Sequence, residues 1–269
     1  MNLIASRLKR LLSRSLGIAG LRLVRVGGHD DGFPVELTSQ DQAIVEFITR
    51  NELTMVSRER LYTTLMACRH VAGEGVEGDF VECGVWRGGN SIIAADVFRR
   101  MAPHKTVYLF DTFAGMTTPS ELDVSQSGVP AAEKFFKGQR AGFNEWCYAS
   151  LEEVKSNFSK AGLDPQNIRF LPGDVLDTLQ ADSNLPEKIS VLRLDTDWYE
   201  STKFELETLY PRLVEGGVLI VDDYGHWGGA KKAVDEYFET HPRPFLQYTD
   251  YTGRVGIKVS RSIAACRRG

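Results

Sequence analysis

Val191-Leu192-Arg193-Leu194-Asp195-Thr196-Asp197-Trp198-Tyr199 is a short apolar run ending in acids, and Val218-Leu219-Ile220-Val221-Asp222-Asp223-Tyr224 repeats the pattern. Runs of this length, rich in branched side chains, read as strands covered on both faces, the signature of a parallel sheet. The acids fall just past the strand ends. In an open α/β sheet that edge is where ligands bind. Carboxylates gathered there repel one another unless a proton or a cation intervenes. A hard divalent cation held by oxygen ligands is the simplest solution. A solvated turn would explain Asp222-Asp223 alone, but two such ends joined by one crossover helix meet at the same edge. Arg193, on the strand itself, is a candidate partner for one of the acids.

Strand and helix alternate outward from these runs. Strands are expected over 80–83, 107–110, 168–171, 189–194 and 218–221, with helices over 91–101, 201–213 and 230–239. Two further strands, 245–248 and 254–259, are separated only by Thr249-Asp250-Tyr251-Thr252-Gly253, a hairpin spacing that makes one of them antiparallel. Ser39 with Gln42 and Ser150 with Glu153 have capping-box spacing. A second early helix over 57–71 buries Leu61, Leu65 and Cys68. The pattern predicts a mostly parallel, seven-stranded α/β sheet closed by an antiparallel hairpin and preceded by extra helices. Residues 112–149 read as a long irregular segment able to close over a ligand.

The bulk numbers exclude more than they identify. The 269 residues carry a formal charge of −4, which gives no general case for nucleic-acid binding. No apolar run reaches the roughly 18 residues of a membrane span. Charge is uneven, however. Residues 1–29 hold Arg7, Lys9, Arg10, Arg14, Arg22 and Arg25 and no acid, so the remainder stands at −10. Leucines at helical spacing between them suit a helix packed on protein or resting on an anionic membrane surface. Cys68, Cys83, Cys147 and Cys266 are irregularly spaced, which argues against a zinc site or a disulfide framework and for a cytoplasmic protein. The expected division is a basic arm (1–38), one catalytic domain (39–260) and a short tail (261–269).

Glu82-Cys83-Gly84-Val85-Trp86-Arg87-Gly88-Gly89-Asn90-Ser91 follows a strand and opens a helix. Glycine lets such a turn approach a ligand closely, and helix-start N–H groups favour an anion. The spacing is not that of a dinucleotide fingerprint. Glu82 would repel a phosphate but suits the ammonium of an amino-acid moiety. Asp111, at the next strand tip, is placed to accept from ribose hydroxyls, or else caps its turn. Thr112 and Phe113 follow it and could floor a cofactor pocket. Asp174 could meet an adenine amino group or cap a short helix. His226 is the best-placed histidine for substrate contact, although a packed histidine is equally natural there.

These residues resemble one family. Asp79–Gly89, Phe110-Asp111-Thr112-Phe113-Ala114-Gly115-Met116, the run from Leu192 to Thr202 and the run from Gly216 to Gly225 are similar to the macrocin O-methyltransferase family of the TylF type. The resemblance covers residues 57–259. It implies a Rossmann-like class I methyltransferase fold, S-adenosylmethionine as donor and a sugar hydroxyl of a natural product or glycan as acceptor. It further implies a homodimer and a magnesium site formed by Asp195, Asp222 and Asp223, with Asp197 as general base. Glu82, Gly84, Trp86, Gly88, Asn90, Ser91, Asp111, Thr112, Phe113, Asp174 and Asp195 become the expected donor-binding residues. Asp197 and His226 become the catalytic candidates. One departure is Thr196-Asp197-Trp198, where the family often has Gly-Asp followed by Leu or Met; the added bulk is expected to reshape the acceptor pocket. A nicotinamide-dependent sugar reductase or epimerase is the competing enzyme reading, but it lacks its glycine fingerprint. A non-catalytic, membrane-associated glycan-binding protein would leave the acids unexplained.

Overall fold

The computed structural model describes residues 33–259. The basic arm 1–29 and its membrane-surface reading, the tail 261–269 and Cys266 lie outside the described residues. In the segment up to Gln42, Thr38 and Asp41 form a reciprocal cap. The Asp41 N–H donates to Thr38 Oγ1 at 3.2 Å and the Thr38 N–H to Asp41 Oδ2 at 3.0 Å. The expected Ser39/Gln42 box is therefore displaced by one residue.

Helices α1 (Ser39–Arg50) and α2 (Arg58–Gly73) come first. The alternating part runs β1 (Asp79–Cys83), α3 (Gly89–Met101), β2 (Val107–Asp111), α4 (Ala131–Gly138), β3 (Gln139–Arg140), β4 (Phe143–Asn144), α5 (Leu151–Lys160) and β5 (Ile168–Pro172). It continues with α6 (Val175–Thr178), β6 (Ile189–Leu194), α7 (Tyr199–Leu209), β7 (Leu213–Val221), α8 (Gly228–Thr240), β8 (Gln247–Tyr248) and β9 (Arg254–Ile257). The main sheet has seven strands in the order β5-β2-β1-β6-β7-β9-β8. The first five are parallel, and β9 runs antiparallel to both β7 and β8. The chain steps outward from β1 to β2 and β5, then resumes on the other side at β6. That reversal opens a crevice beyond the ends of β1 and β6.

Strand alternation decides what each face carries. Cys83, Leu192, Leu194 and Val221 join Leu206, Leu209, Val234 and Tyr237 of α7 and α8 in one apolar core. Glu82 and Arg193 lie on the opposite parity, paired across β1 and β6 and each 1 % exposed. That face meets α2 and α3, which Thr64 and Asn90 tie together by a hydrogen bond of 2.9 Å. A charged pair there costs desolvation, so it must be partnered closely.

Besides a helix α7 that ends at Leu209 instead of 213 and shorter hairpin strands β8 and β9, two elements differ from the sequence reading. β7 begins at Leu213 instead of 218, because Gly216 and Gly217 lie within the strand. The 112–149 segment is not simply irregular: it contains α4 and the small β3–β4 hairpin. It is pinned at the end of the sheet, where Asp123 Oδ1 accepts from the Tyr199 N–H at the start of α7 (2.8 Å) and the Gly228 N–H donates to the Val124 carbonyl (2.8 Å). Among the described residues no helix is long and apolar enough to cross a membrane.

Candidate active site

A cavity of ≈ 500 Å³ opens at the switch point. Its first wall is the turn after β1. Gly84 has φ +84°, and a Cβ there would stand 2.0 Å from the Asp195 carbonyl oxygen, so the β1 and β6 ends approach each other only with glycine here. Asp111 staples this turn: its carboxylate accepts from the N–H groups of Val85 (2.6 Å), Trp86 (3.0 Å) and Phe113 (2.7 Å). The side chain expected to hold a ribose is thus already engaged by backbone. Glu82 is engaged as well. Arg193 Nη1 donates to its Oε1 at 2.7 Å and the Ser91 hydroxyl to its Oε2. Asp174 caps α6 by accepting from the Leu176 N–H at 2.9 Å.

The second wall is acidic. Asp195, Asp197 and Asp223 each offer an oxygen within 4.8 Å of the others. Asp223 Oδ2 is buried with no hydrogen-bond partner among the described residues. Three converging carboxylates with one oxygen left orphaned fit a hard divalent cation. Asp222 is placed differently from its sequence-based role as a ligand. Arg193 donates to its Oδ1 and Arg60 to its Oδ2, while Arg60 Nε also pairs with Asp250 Oδ2 at 3.0 Å. Arg193 Nη1 further reaches Asp195 Oδ2 at 2.7 Å, so one guanidinium serves three carboxylates. The acids found at the strand ends are therefore compensated by two arginines; all four line the cavity, and Asp195, Asp197 and Asp223 are the three whose oxygens converge.

The third wall comes from the 112–149 segment and the loop before α8. Trp146, Trp198 and Trp227 pack edge-on or tilted, with centroids 5.1 to 6.0 Å apart. The Trp198 indole N–H donates to the Thr117 carbonyl at 3.1 Å. The Lys134 ammonium lies 4.1 Å from the Trp146 ring centroid. His226 is half-buried beside this cluster, 3.5 Å from the Tyr251 hydroxyl. Such rings exclude water and offer flat apolar faces to a ligand.

Electrostatics match the crowding. Burial pushes the carboxyls of Asp195 and Asp223 well above the usual range; Arg193 opposes this at Asp195, and Asp197 adds to it at Asp223. Burial also raises Asp197 to about 7, partly offset by its hydrogen-bond contact with Asp223. Glu82 rises to about 7 because burial outweighs Arg193. Burial depresses His226, helped by Arg60 and Lys134. A carboxyl whose folded pKa lies above its unfolded one binds its proton more tightly in the fold. The stability it contributes is complete below the unfolded value of 3.8 and is lost as pH rises through about 7. The cation-free protein is therefore expected to melt at a lower temperature near pH ~8 than near pH ~5.5, with magnesium raising the melt most at the higher pH. Differential scanning fluorimetry in chelator, then with magnesium added, checks this; equal melts at both pH values would contradict it.

Most residues expected from sequence do face the cavity. Gly84, Trp86, Asn90 and Thr112 line its end at the glycine turn, and Asp195, Asp197, Asp223 and His226 its acidic end. Three do not line it. Gly88 caps α3 with φ +92° and packs toward Phe158, Ser91 is fully buried against Glu82, and Phe113 packs against Phe170 at 6.4 Å. These three support the wall from behind. Sequence reasoning missed Arg60, Lys134 and Tyr251, which also border the cavity. The eight residues of α4 are too few for a helical period to reveal Lys134.

The sequence profile of the macrocin-O-methyltransferase (TylF) family matches residues 38–252. A demethyldecarbamoylnovobiocin O-methyltransferase of Streptomyces niveus is 38% identical over 188 residues, covering 70% of this chain and 68% of that one. An 8-demethyl-8-(2,3-dimethoxy-alpha-L-rhamnosyl)-tetracenomycin-C 4'-O-methyltransferase of Streptomyces olivaceus is 37% identical over 205 residues, covering 76% and 69%. Among solved structures, the O-methyltransferase NovP superposes with a TM-score of 0.67 at 34% identity, over 77% of this chain and 82% of that one. A calicheamicin methyltransferase, with a TM-score of 0.58 at 18% identity over 87% and 99%, shares the fold.

Proposed function

The chain belongs to the macrocin-O-methyltransferase (TylF) family, and from that premise we propose that it moves a methyl group from S-adenosylmethionine to a sugar hydroxyl of a glycosylated natural product or glycan, with magnesium at the acid cluster. The observation that carries the reading is the meeting, in one cavity, of the glycine turn after β1 with Asp195, Asp197 and Asp223. The tetracenomycin relative, whose name specifies a rhamnosyl-bearing acceptor, supports a sugar substrate. The nicotinamide reading has no observation in its favour.

The chain's own groups divide the work. The turn from Gly84 to Asn90 holds the donor against the β1 edge. Asp195 and Asp223 would hold the cation, which when bound supplies Lewis acidity toward an acceptor hydroxyl. Asp222 holds the two arginines beneath. Asp197 takes the hydroxyl proton; raised to about 7, it is a stronger base than an ordinary carboxylate. The acceptor oxygen displaces the methyl carbon from the donor sulfur, giving a methyl ether and S-adenosylhomocysteine. The tryptophan wall orients the sugar and keeps water out.

Incubation with methyl-labelled S-adenosylmethionine and a panel of glycosylated acceptors is expected to add one methyl mass to a sugar. No labelled product across deoxysugar-bearing acceptors, with the donor shown to bind, would remove the sugar assignment. Exhaustive chelation is expected to lower turnover about a hundredfold, and magnesium to restore it. Turnover that survives chelation would take the cation out of the proposal.

A further inference from the structure

Thr196 stands between Asp195 and Asp197, half-buried, and its hydroxyl enters a short chain of polar contacts. Thr196 Oγ1 lies 2.8 Å from Ser201 Oγ and 2.8 Å from Glu205 Oε1. Ser201 Oγ lies 3.2 Å from the Trp198 carbonyl oxygen. Ser201 and Glu205 are one turn apart on α7, so both face the same loop. Glu205 is 0 % exposed, and its Oε2 has no hydrogen-bond partner among the described residues.

Thr196 has one hydrogen for two neighbours, and that limits the directions this chain can take. The Trp198 carbonyl can only accept, so it takes the Ser201 hydrogen. Ser201 Oγ then accepts the single hydrogen of Thr196. Thr196 could instead spend its hydrogen on a Glu205 carboxylate, but one of the three contacts would then go unmade; all three are hydrogen bonds at once only if Glu205 donates. Burial raises the Glu205 carboxyl to about 8, with Asp195 adding to the push, which agrees with a protonated group. A buried charge with one orphan oxygen would cost far more than a neutral acid. The Cys83 thiol, at the end of β1, lies beside the same carboxyl.

The loop needs such a brace. Asp197 has φ +70°, a left-handed conformation that a non-glycine residue holds only where its surroundings enforce it. We infer that Glu205 is a positioning residue: as a neutral acid it donates through Thr196 and Ser201 to the Trp198 carbonyl, and so fixes the turn that presents Asp195 and Asp197. The cation readout below rests on the proposed function; the backbone readout does not.

The test compares Thr196→Val, Glu205→Leu and Glu205→Gln with the wild-type protein by isothermal titration with manganese and, separately, with S-adenosylhomocysteine. Gln retains an N–H that can donate to Thr196; Leu does not. Thr196→Val and Glu205→Leu are expected to weaken manganese binding about tenfold, with S-adenosylhomocysteine affinity held within about twofold. Glu205→Gln is expected to behave as wild type, and the double variant Thr196→Val/Glu205→Leu to bind no more weakly than its weaker parent. A crystal structure of the Thr196→Val protein is expected to show Asp197 outside the left-handed region. Unchanged manganese affinity in both disabling variants overturns the inference. So does a Gln variant as impaired as Leu, or a parallel loss of manganese and S-adenosylhomocysteine affinity. If wild-type protein binds no manganese, the cation reading fails, and Asp197 keeping φ near its present value in Thr196→Val decides against the brace.

Discussion

Replacing Asp197 by asparagine is expected to lower turnover about a thousandfold, the range for removing a positioned general base. The substitution is a sharp probe because little else should change. Asparagine has the same shape, and it tolerates the left-handed backbone that Asp197 adopts at φ +70°. What disappears is an acceptor for the hydroxyl proton. The proposed donor site lies toward the glycine turn, so S-adenosylhomocysteine affinity should stay within about twofold in calorimetry. Burial places the Asp197 carboxyl at about 7, with Asp195 and Asp222 pushing in the same direction as burial. It is therefore poised near neutral pH, where a base must be free yet still attract a proton. Initial rates with methyl-labelled donor measure the loss. Activity within tenfold of wild type would move the base elsewhere, and His226, kept neutral by burial with Arg60 and Lys134 nearby, would be the next residue to substitute.

The sheet was legible where both faces are covered. β6 is buried at every position, so its apolar run has no interruption and its ends were read without error. β7 was read short because two glycines look like punctuation. Gly216, at φ +79°, donates to the Lys258 carbonyl at 2.8 Å and so keeps the ladder going across the edge toward β9. The acid cluster was legible as a place and misread in detail. Asp222 and Asp223 are adjacent, yet alternation sends them to different environments. Asp222 shares the parity of Ile220, which pairs with Arg193, so Asp222 meets the arginines while Asp223 joins Asp195 and Asp197. That signal was present in the sequence but needed the β6–β7 register. Arg60 carried no signal of its own, since its partners Asp222 and Asp250 are far along the chain. The tryptophan wall joins segments far apart in sequence: Trp198 follows β6, and Trp146 meets its ring from the 112–149 segment with centroids 5.5 Å apart.

Arg193→Met is expected to destabilise the protein by about 3–5 kcal/mol, the cost of breaking a buried ion pair from one side. Arg193 is 1 % exposed, and its guanidinium pairs with Glu82, Asp195 and Asp222. Methionine fills much of its volume but leaves those carboxylates facing one another. For a chain of this size the loss corresponds to a melting temperature lower by roughly 10 °C. The cost is capped, because carboxyls that lose their cation can take up protons instead. That cap is testable: the deficit should be smaller near pH ~5.5 than near pH ~8, since protonation relieves the repulsion. Magnesium should raise the melt of Arg193→Met more than that of wild type, because a dication at Asp195 replaces part of the lost charge. Arg193→Lys should fall between the two, as an ammonium keeps the charge but has no planar fork to serve several carboxylates at once. Thermal melts of the three proteins, with and without magnesium at both pH values, give the answer. A methionine variant that melts with wild type would mean that the three carboxylates are not held ionised around Arg193. The acid cluster would then be a set of shared protons with no need of either arginine or cation.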